Sequence, residues 1–260
     1  MKLALDVGNS EIVIGCVSGE VVKSVFRIST DKTKTADEYT IIIENILNFH
    51  NIDCKKIDGA IISSVVPPLT GAITSAVKNL TGVDSLIVGA GLKTGLNILI
   101  DDPPTLGADI VASAVGALAK YKPPIIIVDM GTATKLFMLN ENGALVGGAI
   151  LPGLALSMNA LSAGASQLPY IPIEAPAKSI GTNTVDSMKS GAIFGAIAAI
   201  DGLVERFEAE IGQTAHIVAT GGLVHTVYRH SRHKINYEPN LILQGMNVIY
   251  EKNIIPKSLK

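Results

Sequence analysis

The sequence predicts an α/β protein that contains two copies of one domain. Short apolar runs alternate along the chain with segments in which apolar residues recur at helical spacing, an alternation typical of α/β folds. The motif Asp-x-Gly ends the first apolar run at Asp6 and Gly8, and it recurs at Asp129 and Gly131. Both motifs lie in the same order of strand, turn, strand, polar turn and strand. We therefore interpret the chain as a duplication with pseudo-twofold symmetry.

The composition argues against several classes of protein. The 260 residues, 48% of them hydrophobic, suffice for one large domain or two smaller ones. A net charge of −2 gives no support for binding nucleic acid or a membrane. The two cysteines, Cys16 and Cys54, fit neither a metal spacing nor a disulfide framework. The opening "KLALDVGNS" is no signal peptide, so we expect a cytoplasmic protein with no nucleic-acid or membrane partner.

The first half is predicted to contain five strands and three helices. Thr35 and Glu38 have the spacing of a capping box and open the first helix. Pro67 and Pro68 open the second helix, and the third follows "DDPPTLGAD" at residues 101–109. The predicted strands cover residues 2–8, 12–17, 20–28, 59–66 and 85–91.

The second half repeats the opening arrangement. "IIIVDMGTATKLFMLNENGALVGGAI" supplies three strands, and apolar helices are predicted at 152–165 and 185–211. A strand over 216–223 and a closing helix over 240–253 complete the chain. The run "GAIFGAIAAI" is too short to span a bilayer and is interpreted as part of a buried helix. The predicted domains are residues 1–117 and 118–260.

The two Asp-x-Gly turns have the chemistry of a phosphate site. Phosphate binding needs convergent backbone N–H groups and no bulky side chain, which "DVGNS" and "DMGTAT" provide. A carboxylate at the strand tip would repel phosphate, so its natural role is to hold a cation that neutralises phosphate charge. The alternative is an ordinary Asp-Gly hairpin. Two copies in equivalent contexts, together with "TGG" at 220–222, favour the phosphate site.

Asp109 lies at the first turn of an apolar helix, in "TLGADIVASAVGAL". One explanation is structural, because acids favour the positive end of the helix dipole. The other is a general base. A carboxylate kept ionised there is a weak base, but phosphoryl transfer needs mainly positioning and late proton acceptance.

Ten stretches of the chain resemble the type III pantothenate kinases, members of the acetate and sugar kinase/Hsp70/actin superfamily. The resemblance covers nearly the full length. It implies two actin-like (ribonuclease H-like) α/β domains with a nucleotide cleft between them. The matching stretches are "DVGNS", "SSVVPPL", "TGLNI", "LGAD", "DMGTAT", "GGAILPGL", "LSAGASQLP", "GTNTVDSMKSG", "TGGL" and "LILQGMNVIYEKN".

The resemblance implies a cytoplasmic homodimer that phosphorylates pantothenate with ATP at the first step of coenzyme A synthesis. It implies a divalent cation such as Mg²⁺ and a monovalent one, K⁺ or NH₄⁺, the latter bound by Asp129. Asp109 would be the catalytic base. Thr184 would reach the pantothenate site from the partner half or subunit, or would cap its helix. The implied ATP contacts are Asp6, Val7, Gly8, Asn9, Ser10, Glu11, Ile12, Val13 and Thr132, and the implied pantothenate contacts are Gly107, Ala108, Asp109, Ile110 and Thr184.

Three positions depart from the family pattern. Ile110 stands where the Gly-x-Asp-Arg motif has arginine, Ile100 where a tyrosine is common, and Lys135 where a hydroxyl follows "GTAT". The first two fall at the implied pantothenate site. They leave two alternatives open, a regulatory or nucleotide-sensing paralogue with little or no activity and a plain ATPase. The retained Asp109 and Asp129 favour the kinase.

Overall fold

The computed structural model describes residues 1–254, which form two units. Unit 1 comprises residues 1–96, residues 102–119 and the described chain from residue 240 onward. Unit 2 comprises residues 97–101 and 120–239. In chain order the elements are β1 (Lys2–Val7), β2 (Glu11–Ser18), β3 (Val21–Ser29), α1 (Ala36–Phe49), β4 (Gly59–Ser64), α2 (Pro67–Thr81), β5 (Ser85–Ile87), α3 (Ala108–Leu118), β6 (Ile125–Met130), β7 (Ala133–Leu139), β8 (Leu145–Pro152), α4 (Leu154–Gly164), α5 (Thr184–Ile211), β9 (His216–Thr220), α6 (Val224–Val227), β10 (Ile235–Tyr237) and α7 (Leu241–Asn253).

The two units have the same sheet topology. Unit 1 has the strand order β3-β2-β1-β4-β5, and unit 2 has the order β8-β7-β6-β9-β10 when its sheet is followed in the same direction. In unit 1 the central strand β1 is antiparallel to β2 and parallel to β4. In unit 2 the central strand β6 is antiparallel to β7 and parallel to β9. The predicted duplication of an α/β domain is therefore confirmed.

Helices cover both faces of the unit 1 sheet. Leu3 and Leu5 of β1 pack with Tyr39 of α1 and with Ile73 of α2 in one buried cluster. Because successive side chains of a strand point to opposite faces, the intervening residues face α3 and α7. Leu243 of α7 accordingly lies against Gly15 of β2, where any side chain would collide with it.

Helices α3 and α7 approach each other closely because glycine occupies both sides of their contact. A Cβ on Gly116 would lie 2.5 Å from the backbone oxygen of Leu241. A Cβ on Gly245 would overlap the backbone oxygen of Ala112. Alanine also keeps α3 narrow, since Ala112, Ala114 and Ala117 are fully buried. This contact was not predicted: residues 240–253 were assigned to the second domain, whereas α7 packs in unit 1.

Helix α5 is the long helix of unit 2. Among the described residues it is the one helix with the length and apolar composition needed to cross a bilayer. It nevertheless packs in the unit 2 core through Ile193, Ile197, Ile200 and Val204, against β6 and β7. The prediction of a buried helix was right for this face only, because Gly191, Gly195 and Ala198 on the remaining surface are exposed.

The remaining differences from the predicted elements are small. The strand expected over 85–91 ends at Ile87. The helix α6 and the edge strand β10 were not predicted. Both are only three or four residues long, too short for a periodic pattern to identify.

The contact between α3 and α7 makes a testable prediction. Gly245→Ala should lower the free energy of unfolding by roughly 1–3 kcal/mol, because the added methyl group meets backbone that cannot move aside. Gly71→Ala is the matched control, since this exposed helical glycine has open space around it. It should raise stability by roughly 0.5–1 kcal/mol. Urea denaturation of both variants checks the pair, and an unchanged Gly245→Ala would contradict the close contact.

Candidate functional site

The first Asp-x-Gly turn joins β1 to β2 and is held from two sides. The Gly8 backbone N–H donates to the Glu11 carbonyl oxygen at 3.0 Å. The Thr30 hydroxyl donates to the Gly8 carbonyl oxygen at 2.7 Å. Asp6 lies at the tip of β1, and its Oδ1 accepts a hydrogen bond from the Ser63 hydroxyl of β4 at 2.9 Å. The turn therefore presents a fixed backbone and an oriented carboxylate.

The residues expected to contact ATP phosphates differ in what they expose. Asn9, Ser10 and Glu11 have exposed side chains at the turn. The side chains of Val7 and Ile12 are fully buried in the unit 1 core. Any contact from Val7 or Ile12 must therefore come from the backbone.

Asp109 is the second residue of α3, which starts at Ala108. Its Oδ1 accepts from the Ile110 backbone N–H at 2.9 Å. The helix N-cap is Gly107, where a Cβ would overlap that same Oδ1, so glycine is what allows the carboxylate to fold back over the helix terminus. Gly107, Ala108, Asp109 and Ile110 are all half-buried.

The start of α3 is anchored beside the first turn. A Cβ on Gly107 would lie 3.5 Å from Cγ1 of Val65. The Val65 backbone N–H in turn donates to the Val7 carbonyl oxygen at 3.1 Å. Within unit 1, Val65 therefore lies close both to the helix terminus that carries Asp109 and to the end of the strand that carries Asp6.

The second Asp-x-Gly turn joins β6 to β7 and is surrounded by glycine. The Gly131 backbone N–H donates to the Ala133 carbonyl oxygen at 3.1 Å. A Cβ on Gly153, at the start of α4, would overlap the carbonyl oxygen of Thr132. Gly221 has φ +105° and lies where a Cβ would be 2.6 Å from the Met130 backbone. The "TGG" and "LPGL" segments thus pack directly on this turn, while Thr132 itself is exposed.

Asp129 is paired with a lysine. The Lys135 Nζ lies 2.8 Å from Asp129 Oδ2, and the two side chains are only 15% and 14% exposed. Asp129 was expected to bind a monovalent cation. The structure supplies a different positive charge at its carboxylate, an ammonium group of the protein itself.

Thr184 lines an open cleft of about 720 Å³ in unit 2, between α4 and the start of α5. The other role considered for Thr184, capping of α5, is filled by the preceding residue, Asn183. Asn183 is the N-cap residue, and its Oδ1 accepts from the Asp186 backbone N–H at 2.9 Å. Thr184 is exposed and is one of the residues that line the cleft. The cleft is lined by Ser157, Met158, Leu161, Leu168, Gly181, Thr182, Asn183, Thr184, Ser187, Met188, Gly191 and Ala192.

Residues 1–254 offer neither a metal site built from several protein ligands nor an activated cysteine. These residues contain no cluster of three or more His, Cys, Asp or Glu side chains that could hold a metal ion. A cation at either turn would therefore rely on few protein ligands. Both cysteines are free thiols. Burial raises the pKa of Cys16 to about 11, and burial also raises the pKa of Cys54, so neither thiol is activated as a nucleophile.

Sequence reasoning missed the residues that support the turns. Ser63 orients Asp6, and Thr30 fixes the Gly8 carbonyl. The internal repeat contained a signal for the first of these, because Ser63 is paired with Asp6 as Thr220 is paired with Asp129. A hydroxyl residue at the end of the parallel neighbour strand is therefore part of the repeated unit.

Comparison with known protein families gives one consistent result. A model of the type III pantothenate kinase family matches residues 2–206. A type III pantothenate kinase of Pelobacter propionicus is 41% identical over 253 residues, covering 97% of this chain and 100% of the relative. The type III pantothenate kinase of a Geobacillus species is 41% identical over 257 residues, covering 99% and 100%.

Solved structures with low sequence identity share the fold. An archaeal actin homolog, Ta0583, superimposes with a TM-score of 0.55 at 12% identity, covering 97% of this chain and 99% of the homolog. Component A of (R)-2-hydroxyglutaryl-CoA dehydratase from Acidaminococcus fermentans gives a TM-score of 0.55 at 14% identity, covering 96% of both chains. The predicted actin-like fold is confirmed by these matches.

The start of α5 provides a prediction that separates capping from cleft lining. Asn183→Ala should destabilise the protein by about 1 kcal/mol, because the Asp186 N–H loses its acceptor. Thr184→Val keeps the side-chain shape and should change stability by less than about 0.5 kcal/mol. Urea denaturation of the two variants measures both effects. A larger loss for Thr184→Val than for Asn183→Ala would return the capping role to Thr184.

Proposed function

The chain belongs to the type III pantothenate kinase family, and on this basis we propose that it transfers the γ-phosphoryl group of ATP to the hydroxyl group of pantothenate. The product is 4′-phosphopantothenate, and the reaction is the first step of coenzyme A biosynthesis. The observation that carries the proposal is the identity of about 40% with type III pantothenate kinases over nearly the whole chain. Both Asp-x-Gly turns and Asp109 lie within residues 2–206, the range that the family model matches.

The ATP phosphates are assigned to the two glycine turns. Residues 6–13 would contribute backbone N–H groups and the exposed side chains of Asn9 and Ser10. Thr132 would contribute its exposed hydroxyl from the second turn. Glycine at each bend keeps side-chain atoms away from the phosphate oxygens, which is the requirement of such a site.

Asp109 is assigned the role of catalytic base. The pantothenate hydroxyl oxygen attacks the γ-phosphorus, a P–O bond to that oxygen forms, and the bond to the bridging oxygen of ADP breaks. The hydroxyl proton passes to the Asp109 carboxylate. A carboxylate suffices as the base, because the transition state needs mainly positioning and late proton acceptance. Val65 lies near the start of α3 and donates to the Val7 carbonyl oxygen, so Asp109 is on the side of unit 1 that carries the first turn.

The acceptor is assigned to Gly107, Ala108, Ile110 and Thr184. The first three flank Asp109 at the start of α3, so a bound hydroxyl would be near the base. Thr184 would act from unit 2 or from a partner subunit. Ile110 offers no side-chain donor to pantothenate, and its backbone N–H already donates to Asp109 Oδ1.

The reaction uses ATP with a divalent cation, for which we propose Mg²⁺. Mg²⁺ is usually held by one or two carboxylates together with substrate phosphates, and Asp6 offers an oriented carboxylate at a phosphate turn. The residues at Asp129 do not fit the implied K⁺ or NH₄⁺, because Lys135 already places a positive charge 2.8 Å from one oxygen of this carboxylate.

The function is tested by a coupled assay for ADP with ATP alone and with ATP plus pantothenate. ADP formation that depends on pantothenate, with phosphopantothenate identified by mass spectrometry, is the expected result. ADP release that is equal in both reactions would indicate a plain ATPase. Nucleotide binding without turnover would indicate a regulatory paralogue.

Replacement of the proposed base gives a sharper prediction. Asp109→Asn should lower kcat by roughly 10²–10⁴-fold, the usual contribution of a positioned general base, while ATP affinity stays nearly unchanged. Asp37→Asn is a matched control, because Asp37 also follows an alanine in the first turn of its helix, α1. Turnover and melting temperature are measured on the same samples. A destabilised Asp109→Asn enzyme with normal turnover would show that Asp109 serves the helix alone.

We also propose a cytoplasmic homodimer, with the exposed face of α5 at the interface. Gly191, Gly195 and Ala198 leave this face flat, and Leu156, Leu161 and Tyr170 add exposed apolar surface in the same unit.

Gly195→Arg should convert the dimer to a monomer, because a long charged side chain would separate the two surfaces. Gly71→Arg on exposed α2 is the control and should remain dimeric. Sedimentation velocity at micromolar concentration measures the oligomeric state of both variants and of the unmodified protein. A monomeric unmodified protein would contradict the proposal.

A further inference from the structure

The ion pair between Asp129 and Lys135 is fixed by the register of one hairpin. The two residues are directly opposite each other on the antiparallel strands β6 and β7, so their side chains share a face of the sheet. That face is opposite to the one on which Val128 and Leu136 pack in the unit 2 core. Lys135 Nζ thereby reaches Asp129 Oδ2 at 2.8 Å with most of both side chains shielded from water.

The equivalent hairpin of unit 1 shows that the fold does not require this lysine. Asp6 of β1 is directly opposite Val13 of β2, so the position that carries an ammonium in unit 2 carries an isopropyl group in unit 1. The hydroxyl neighbour is retained in both units, as Ser63 beside Asp6 and Thr220 beside Asp129. A lysine directly opposite the aspartate is therefore a feature of the β6–β7 hairpin and not of the repeated unit.

We infer that the Lys135 ammonium replaces the monovalent cation expected at Asp129, so that nucleotide binding and turnover do not depend on K⁺ or NH₄⁺. A lysine ammonium has the charge and the N–H donors of NH₄⁺. The hairpin holds it beside the carboxylate, so no ion has to be captured from solution. A second cation at the same carboxylate would be repelled by the ammonium.

The Lys135 ammonium also neutralises the charge of the Asp129 carboxylate, which is largely shielded from water at a turn proposed to bind phosphate. An unpaired carboxylate there would be costly to desolvate and would repel the nucleotide phosphates. Pairing with Lys135 removes the net negative charge before the nucleotide arrives. The inference rests on the proposed function in one respect, that ATP binds at the turn formed by residues 129–132.

The test is a binding titration of a non-hydrolysable ATP analogue with Mg²⁺ by calorimetry. The unmodified protein is compared in the chloride salts of K⁺, NH₄⁺, Na⁺ and choline at equal ionic strength. The affinities should agree within about twofold, because the ammonium is present in every buffer. An affinity about tenfold or more higher in K⁺ or NH₄⁺ would overturn the inference, and this comparison requires no variant.

Substitution of Lys135 extends the test. Lys135→Thr should bind the analogue about tenfold more weakly in choline than in K⁺, since an external ion then has to supply the charge (a tenfold change corresponds to 1.4 kcal/mol). Lys135→Arg keeps the charge and should remain insensitive to the salt. Lys120→Thr is the matched control, because Lys120 is another ion-paired lysine of unit 2, 2.5 Å from Glu238 Oε2, and should bind as the unmodified protein does.

Two further outcomes separate the possible failures. If Lys135→Thr loses affinity equally in all four salts, Lys135 contacts the nucleotide directly and the inference is wrong while the kinase assignment stands. If the unmodified protein binds no nucleotide in any salt and forms no phosphopantothenate, the proposed function fails together with the inference.

Discussion

The position of each carboxylate depends on one constraint, the pairing of a central strand with an antiparallel neighbour on one side and a parallel neighbour on the other. In unit 1 this pairing sets Asp6 between Val13 and Ser63, and in unit 2 it sets Asp129 between Lys135 and Thr220. A slip of one residue in this register would move every side chain of the strand to the opposite face of the sheet. The register that packs Val128 and Leu136 in the unit 2 core therefore also sets Asp129 opposite Lys135.

Glycine determines how closely other segments approach this framework. Gly153 and Gly221 let two segments contact the backbone of the second turn, and Gly107 lets the Asp109 carboxylate lie over its own helix terminus. In each case a single methyl group would occupy space already filled by backbone or by the carboxylate. The chemistry assigned to these sites thus relies on residues that take no part in it.

Much of the fold was predictable because its signals are local. The strand–turn–strand repeat, the capping box at Thr35 and the proline start of α2 are all properties of short segments, and all are present in the structure. The placement of α7 could not be predicted, because its contact with α3 joins residues far apart in the chain through the absence of side chains at Gly116 and Gly245. The helix cap offered as the alternative role of Thr184 falls one residue earlier, at Asn183, because both residues have polar side chains that suit the position. Lys135 was recognised as a departure from the family pattern, but its ion pair with Asp129 was not predicted. The pairing depends on the register of β6 and β7, which is set by the length of the turn that joins them.

Because α7 is the last helix of the chain and packs in unit 1, unit 1 cannot be completed until the end of synthesis. A ribosome releases the N-terminal segments first, yet unit 1 lacks one of its covering helices until residues 241–253 emerge. Unit 2 is nearly continuous in sequence, so it has all its strands and helices before unit 1 does. Domains generally fold as units, and every segment of unit 2 is available before α7, the last helix of unit 1. The unit whose translation begins first is therefore the last to be finished, and until then the alanine-rich surface of α3 is uncovered in the nascent chain.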